Sequence, residues 1–421
     1  MEQAQERSPW AWIPTLYFGQ AIPYVVVMIL STVMYKNMGV SNTEMALYTG
    51  WLYLPWVIKP LWSPLVELVR TKRLWIVGLQ LLIGASLAMV ALITHLPQFF
   101  QLSLALLWLM AFSSATHDIA ADGFYMLGLP QHQQAAFVGV RSTFYKLAMI
   151  AGQGGLVYLA GKLAASTGDV AGAWSVVFVV LAVVFLGLCV YHHFVLPRPA
   201  ADHSHAAGGA MWRDFIATFR SFFQKKGILV ILGFLLLFRL GEAQLLKMAV
   251  PFLLDPPAKG GLGLTTADVG LVYGTIGVTA LILGGLLGGM VISRFGLKRC
   301  LWVMVFAVHV PDLVFVYLAT ALPSNIYLVA ACMAAEQFGY GFGFAAYLLY
   351  MIMVADGEHK TAHYAICTGF MALGMMLPGM ASGWIQQQLG YQHFFIWACA
   401  STLPAFAMAA LVKIDPAFGR K

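Results

Sequence analysis

Five basic residues, Lys59, Arg141, Lys146, Arg239 and Lys247, fall inside otherwise apolar stretches, and so do the carboxylates Asp118, Asp122, Glu242, Asp312 and Glu336. A charge at mid-bilayer costs about 2.5–3.5 kcal/mol on the insertion scale, so such residues face a cavity or an opposite charge. Their number predicts a polar path across a membrane, the chemistry of a carrier for polar solutes.

Three stretches concentrate this chemistry. In Ser113–Leu127, Asp118 and Asp122 are four apart and share a helical face with Ser114. Two carboxylates close together in low dielectric disfavour joint ionisation, as proton binding requires; Asp118 lies deeper. The bland alternative pairs each Asp with a base, and Arg141 and Lys146 on the next span are the available partners. In Phe238–Lys247, Arg239 and Glu242 are three apart and can pair along one face. Arg239 equally suits a carboxylate or phosphate held bidentately. Gly241 with Pro251, Pro256 and Pro257 predicts a gating bend there. In Glu336–Phe344, Glu336 and Gln337 are cavity-lining candidates, and Gly339, Gly341 and Gly343 permit bending or close packing. No strand precedes that run, so it is not read as a nucleotide loop. Asp312, after Pro311, is read as a structural polar residue at a kink, and His309, His363 and His393 as interfacial. Lys59 can snorkel to the inner surface. Gln20 and Tyr17 on span one, Tyr145 on span five and Gln244 on span seven complete the polar set.

The elements that must position these residues are membrane helices. Of 421 residues, 61% are hydrophobic and 10% charged, where a soluble domain is nearer a quarter charged. Helices are expected near 11–35, 43–68, 74–94, 99–126, 135–162, 173–196, 228–254, 266–292, 299–320, 325–354, 363–388 and 392–413. The net charge of +7 follows topology and not nucleic acid. With a cytoplasmic N-terminus, sixteen basic residues fall on the inner side, and only Lys36, Lys162 and Lys259 on the outer side. Met1–Ser8 lacks a basic n-region and a cleavage site, so the first helix is expected to be retained. The cysteines (Cys189, Cys300, Cys332, Cys367, Cys399) form no CxxC pair or His/Cys cluster. They predict neither a disulfide framework nor a metal site, and no cofactor is expected. A membrane enzyme would want a nucleophile–base pair or a metal cluster, and none is read. A sensor or scaffold that binds without flux is the other class, disfavoured because no extra soluble domain is visible.

The expected organisation is a six-helix half over residues 1–196, a central cytoplasmic loop over 197–227 and a second half over 228–421. The loop turns amphipathic, with Trp212, Phe215, Phe219, Phe222 and Phe223 against Arg213, Arg220, Lys225 and Lys226, a pattern that lies along an inner leaflet. Each half carries a similar motif after its second span: Trp62 to Arg73 with Glu67 and Arg70, and Gly288 to Arg299 with Arg294 and Lys298. The second copy resembles the G-x-x-x-D-R-x-G-R-K/R motif of the major facilitator superfamily, with Ser293 in place of the acid and Leu297 in place of an Arg. The resemblance implies a gating latch at the inner helix ends, involving Glu67, Arg70, Arg294 and Lys298. It also implies the all-α, twelve-helix fold in two pseudo-symmetric halves.

A narrower resemblance covers nearly the whole chain. Lys59-Pro-Leu-Trp62-Ser-Pro64, Ala115 to Phe124, Leu237 to Ala243, Glu336 to Gly341, Thr361 to Ala365, Pro378-Gly379 and Gly383-Trp384 look like the AmpG-like permeases. That family contains bacterial muropeptide permeases and acetyl-coenzyme A transporters of eukaryotic organelles. It implies a monomeric, multi-pass inner-membrane symporter with both termini cytoplasmic, working by alternating access. The first expectation is proton-coupled import of an anionic anhydro-muropeptide for peptidoglycan recycling. Asp118, Asp122, Glu242 and Glu336 would handle protons; Arg141, Lys146 and Arg239, with Gln20, Tyr145, Gln244 and Gln337, would meet substrate. The departures favour rivals. Phe124-Tyr125-Met126-Leu127 stands where muropeptide permeases usually have a Trp-Lys-Thr-Asp-like stretch, and is closer to the acetyl-coenzyme A branch. Siderophore importers are also similar, so a siderophore or an acetyl-coenzyme A-like anion stays open as substrate.

Overall fold

The computed structural model describes residues 7–63, 66, 69–199, 202, 209–356, 360–416 and 418–419. All regular structure among them is helical. In a bilayer only intrasegment hydrogen bonding or a closed barrel satisfies the backbone, and this chain takes the first solution. Among the described residues, ten continuous stretches are long and apolar enough to cross a membrane.

The chain forms two compact units, Met1–Met38 with Ile58–Ala207, and Gly39–Val57 with Gly208–Lys421. In the first unit, α1 runs Pro9–Asn37 with a π turn at Val26–Leu30. The others are α2 (Lys72–Ile93), α3 (Phe99–Gly128), α4 (Gln131–Met149, continued through a π turn at Ile150–Leu156 to Val157–Thr167) and α5 (Val170–Val195). Helix α2 packs between α3 and α5, while α1 packs on α4. Asp169 caps α5 by accepting from Gly172 N–H at 2.8 Å, which, with the contact from His95, holds its carboxyl below the usual range.

The second unit contains α6 (Asn42–Trp51), α7 (Leu54–Ile58), α8 (Gly209–Phe223), α9 (Ile228–Leu237) and α10 (Leu240–Leu254). It continues with α11 (Thr266–Phe295), α12 (Leu297–His309), α13 (Leu313–Ala321), α14 (Ile326–Ala355), α15 (Lys360–Ala400) and α16 (Leu403–Leu411). Helix α15 breaks at Gly390, whose φ of 71° is left-handed. The break agrees with the boundary expected between 388 and 392.

Three expectations about the elements change. The second expected span, 43–68, is not one helix but pieces interrupted after Trp51 and again at Lys59–Leu61. Pro55 and Pro60 remove backbone donors and clash with the preceding turns. The bend in the seventh span falls at Phe238–Arg239, not at Gly241; Arg239 is non-helical at φ −104° and ψ 13°. Gly241 serves close packing, since a Cβ there would stand 2.4 Å from Ala398 O. The loop helix α8 does more than lie on a leaflet. Its Phe222 is buried in the core of the second unit, and Ser221 Oγ pairs with His363 Nε2 at 2.9 Å. Ile216 and Phe223 stay exposed, which leaves an apolar edge for lipid. His363, expected to be interfacial, is thus a buried staple.

The kink expected at Pro311 is present, between α12 and α13. Glycines 339, 341 and 343 on α14 face alternate neighbours, as residues two apart must. A Cβ at Gly341 would stand 2.1 Å from Leu281 O on α11, and at Gly339 or Gly343 it would meet Ala307 O or Met304 O on α12. Helix α14 is therefore wedged backbone-to-backbone against both partners.

Candidate functional site

Each unit builds a polar cluster of the same composition: an arginine, a carboxylate and a tyrosine hydroxyl, with aromatic rings under the guanidinium. In the first unit Arg141 Nη2 donates to Asp122 Oδ1 at 2.8 Å, and Tyr17 OH donates to the same oxygen at 3.2 Å. The Arg141 guanidinium lies 4.4 Å from the Tyr17 ring centroid and 5.0 Å from that of Tyr125. The Asp122 side chain is 46% exposed and that of Arg141 is 29% exposed. The pair is thus part-exposed, and Arg141 keeps part of its donor capacity for a ligand. Tyr145 is half-buried and lies within electrostatic range of Asp118 and Asp122.

In the second unit, the break before α10 carries Arg239 out of the helical register and lets it fold back onto Glu242. Arg239 Nε and Nη2 donate to Glu242 Oε2 and Oε1 at 3.1 and 2.7 Å, a bidentate fork. Nη2 also donates to Tyr340 OH at 2.7 Å, and the guanidinium sits 4.9 Å from the Phe344 ring centroid. Both partners are buried, at 8% and 1% side-chain exposure. Because this fork is buried and bidentate, a substrate anion would meet Arg239 through its remaining N–H groups or by displacing Glu242.

The remaining expected site residues separate. Gln20 is buried, and its Oε1 has no partner among the described residues. Gln244 is satisfied, receiving Trp397 Nε1–H at 2.9 Å and donating to Leu240 O, while Gln337 donates to Glu336 Oε2 at 2.8 Å. Lys146 is half-buried and makes no ion pair among the described residues. At the helix ends Glu67 lies outside the described residues. Arg70 is exposed with a φ of 66°. Arg294 stacks on Phe295, and neither it nor Lys298 has a carboxylate partner among the described residues.

Two polar networks lay outside the sequence reading. In the first unit Thr15, His192, Gln80 and His117 connect in series at 2.9, 3.0 and 3.2 Å. His117 and His192 were visible as lone histidines in apolar helices, but their partners are remote in sequence. In the second unit Asn42 Nδ2 donates to Gln386 Oε1 at 2.8 Å and Tyr391 OH at 3.0 Å, and Tyr391 OH donates to Asp255 Oδ2 at 2.6 Å.

A helical membrane protein in two units, each with a caged arginine, matches a known family. The Major Facilitator Superfamily model covers residues 15–308. The chain belongs to this superfamily. It is a membrane transporter and not an enzyme. This facilitator is 25% identical over 396 residues to an uncharacterized protein of Haemophilus influenzae, covering 91% of this chain and 89% of that one. It is 23% identical over 363 residues to the anhydromuropeptide permease of Escherichia coli K12, covering 85% and 70%. Among solved structures, a bacterial homolog of the human lysosomal transporter Spinster, in its inward-facing and unoccupied conformation, superposes with a TM-score of 0.70. That match has 14% identity and covers 97% of this chain and 96% of the other, a likeness of fold.

Proposed function

We propose that this facilitator is a proton-coupled importer of anhydro-muropeptides in a bacterial inner membrane, working as a monomer by alternating access with both termini cytoplasmic. The observation that carries the reading is the Arg141–Asp122–Tyr17 cluster. It offers a part-exposed guanidinium in an aromatic cage, suited to a peptide carboxylate, in a chain similar to a protein named for muropeptide transport. Arg141 and Arg239 serve substrate carboxylates with Lys146, and Gln20, Tyr145, Gln244 and Gln337 serve polar groups. The intramembrane acids Asp118, Asp122, Glu242 and Glu336 are the candidates for carrying the proton. Opening and closing at the inner ends fall to Glu67, Arg70, Arg294 and Lys298.

The test is uptake into proteoliposomes, with and without an inward proton gradient, of labelled anhydro-muropeptide beside a siderophore and acetyl-coenzyme A. Gradient-stimulated muropeptide uptake, weakened in Arg141→Gln through a higher KM, is the expected result. Flux of either rival in place of muropeptide overturns the substrate, and muropeptide flux indifferent to the gradient overturns the coupling.

A further inference from the structure

The second unit buries a set of ionisable groups beyond the Arg239 fork. Asp312 and Glu336 are each 1% exposed and His309 is 3% exposed. His309 Nδ1 stands 3.9 Å from Asp312 Oδ2, outside hydrogen-bond reach. Among the described residues, Asp312 Oδ2, Glu336 Oε1 and both ring nitrogens of His309 have no hydrogen-bond partner. Buried polar atoms are almost always paired, so a cluster of four orphans demands an explanation. Pro311 makes the arrangement: it ends α12 just after His309 and sets Asp312 at the turn, with both side chains turned to the interior.

The surroundings fix the charge balance. Within electrostatic range of this set are Arg239 and Glu242 at the start of α10, Tyr273 of α11 and Cys399 of α15. Among the described residues Arg239 is the cation facing the set, and Glu242 already neutralises it through both oxygens. Lys247, buried in the same helix, makes no ion pair among the described residues. With Asp312 and Glu336 both ionised, two buried negative charges would stand uncompensated among the described residues. Each such charge costs several kcal/mol even after relaxation. A proton removes one of them and turns an orphan acceptor into a donor. It asks for no coordination shell, which a metal ion would need.

We propose that Asp312 and Glu336, with His309 beside them, form the site that takes up and releases the transported proton. The inference rests on the proton-coupled reading above and extends it to two residues of the ninth span. Uptake forms an O–H bond on a carboxylate oxygen and release breaks it, returning the proton to water and the negative charge to the carboxylate. His309 accepts the hydrogen bond of the protonated Asp312 when the two close by about an ångström. Asp122 fits the task less well, because Arg141 and Tyr17 already hold its carboxylate oxygen.

The experiment is infrared difference spectroscopy of the purified full chain, cycled between acidic and alkaline buffer, which needs no substrate. The expected result is a protonated-carboxyl C=O band that shifts when aspartate is isotopically labelled in the unmutated protein, and that is diminished in Asp312→Asn and in Glu336→Gln. Both variants are also expected to lose gradient-driven muropeptide accumulation. A band unmoved by aspartate labelling and intact in both variants overturns the proposal, as does one abolished by Asp118→Asn alone. Radiolabelled sodium that binds the unmutated protein but neither variant, with no carboxyl band, makes this a cation site and also overturns it. If no muropeptide moves at all, the substrate reading falls while the infrared result still decides the proton site.

Discussion

The two caged arginines differ in what their surroundings let them do. Asp122–Arg141 is part-exposed, and exposed ion pairs contribute about 0–1 kcal/mol. Asp122→Asn is therefore expected to leave the Tm in detergent almost unchanged, so that any loss of uptake reports function and not folding. Arg239–Glu242 is buried, and removing one member of such a pair leaves an uncompensated charge costing about 3–5 kcal/mol. Arg239→Ala is expected to lower the Tm markedly, and the double variant Arg239→Met with Glu242→Leu to recover most of that loss. A double variant as unstable as the single one would show that Tyr340 and Phe344, and not charge balance, carry the energy.

At the scale of elements, close backbone approach decides how helices pack where lipid offers no hydrophobic contrast. Gly341→Ala forces a methyl to within 2.1 Å of Leu281 O, so α11 and α14 must separate. A destabilisation of about 1–3 kcal/mol is expected in thermal unfolding. Gly289 lies on α11 with nothing within 4 Å of a built Cβ. Gly289→Ala is expected to be neutral or stabilising by up to about 1 kcal/mol, from helix propensity alone. Equal losses in both variants would mean that the glycines matter for backbone freedom and not for approach. The glycine run was legible in the sequence as small-residue packing, but which neighbour each glycine meets was not, because that depends on helix rotation.

At the scale of the whole molecule, charge asymmetry between loops predicts orientation. Single cysteines replacing Lys162 and Lys259, both exposed, are expected to react with an impermeant maleimide added outside intact cells of a cysteine-free variant. One replacing exposed Lys298 is expected to react only after permeabilisation. The reverse pattern would invert the proposed topology. The same scale shows where chain order and structural units part. Residues 39–57 precede most of the first unit in sequence, yet they belong to the second. Asn42 there binds Gln386 and Tyr391, more than three hundred residues later.

Composition, apolar runs and loop charge determined by themselves that this is a polytopic helical membrane protein, because a bilayer imposes span length and satisfied backbone whatever the tertiary detail. The i,i+3 spacing of Arg239 and Glu242 likewise announced a pair that one helix end makes locally. Pro55 and Pro60 also stand in the sequence as residues that break a helix, inside an apolar run long enough to span. Only the tertiary structure decided the rest. It chose Arg141 and Tyr17 for Asp122, linked His117 to His192 through Gln80, and left Asp312, His309 and Glu336 buried with atoms unpaired among the described residues. Those outcomes depend on how each helix is rotated against its neighbours, and rotation is set by packing among residues far apart in the chain, which no local spacing records.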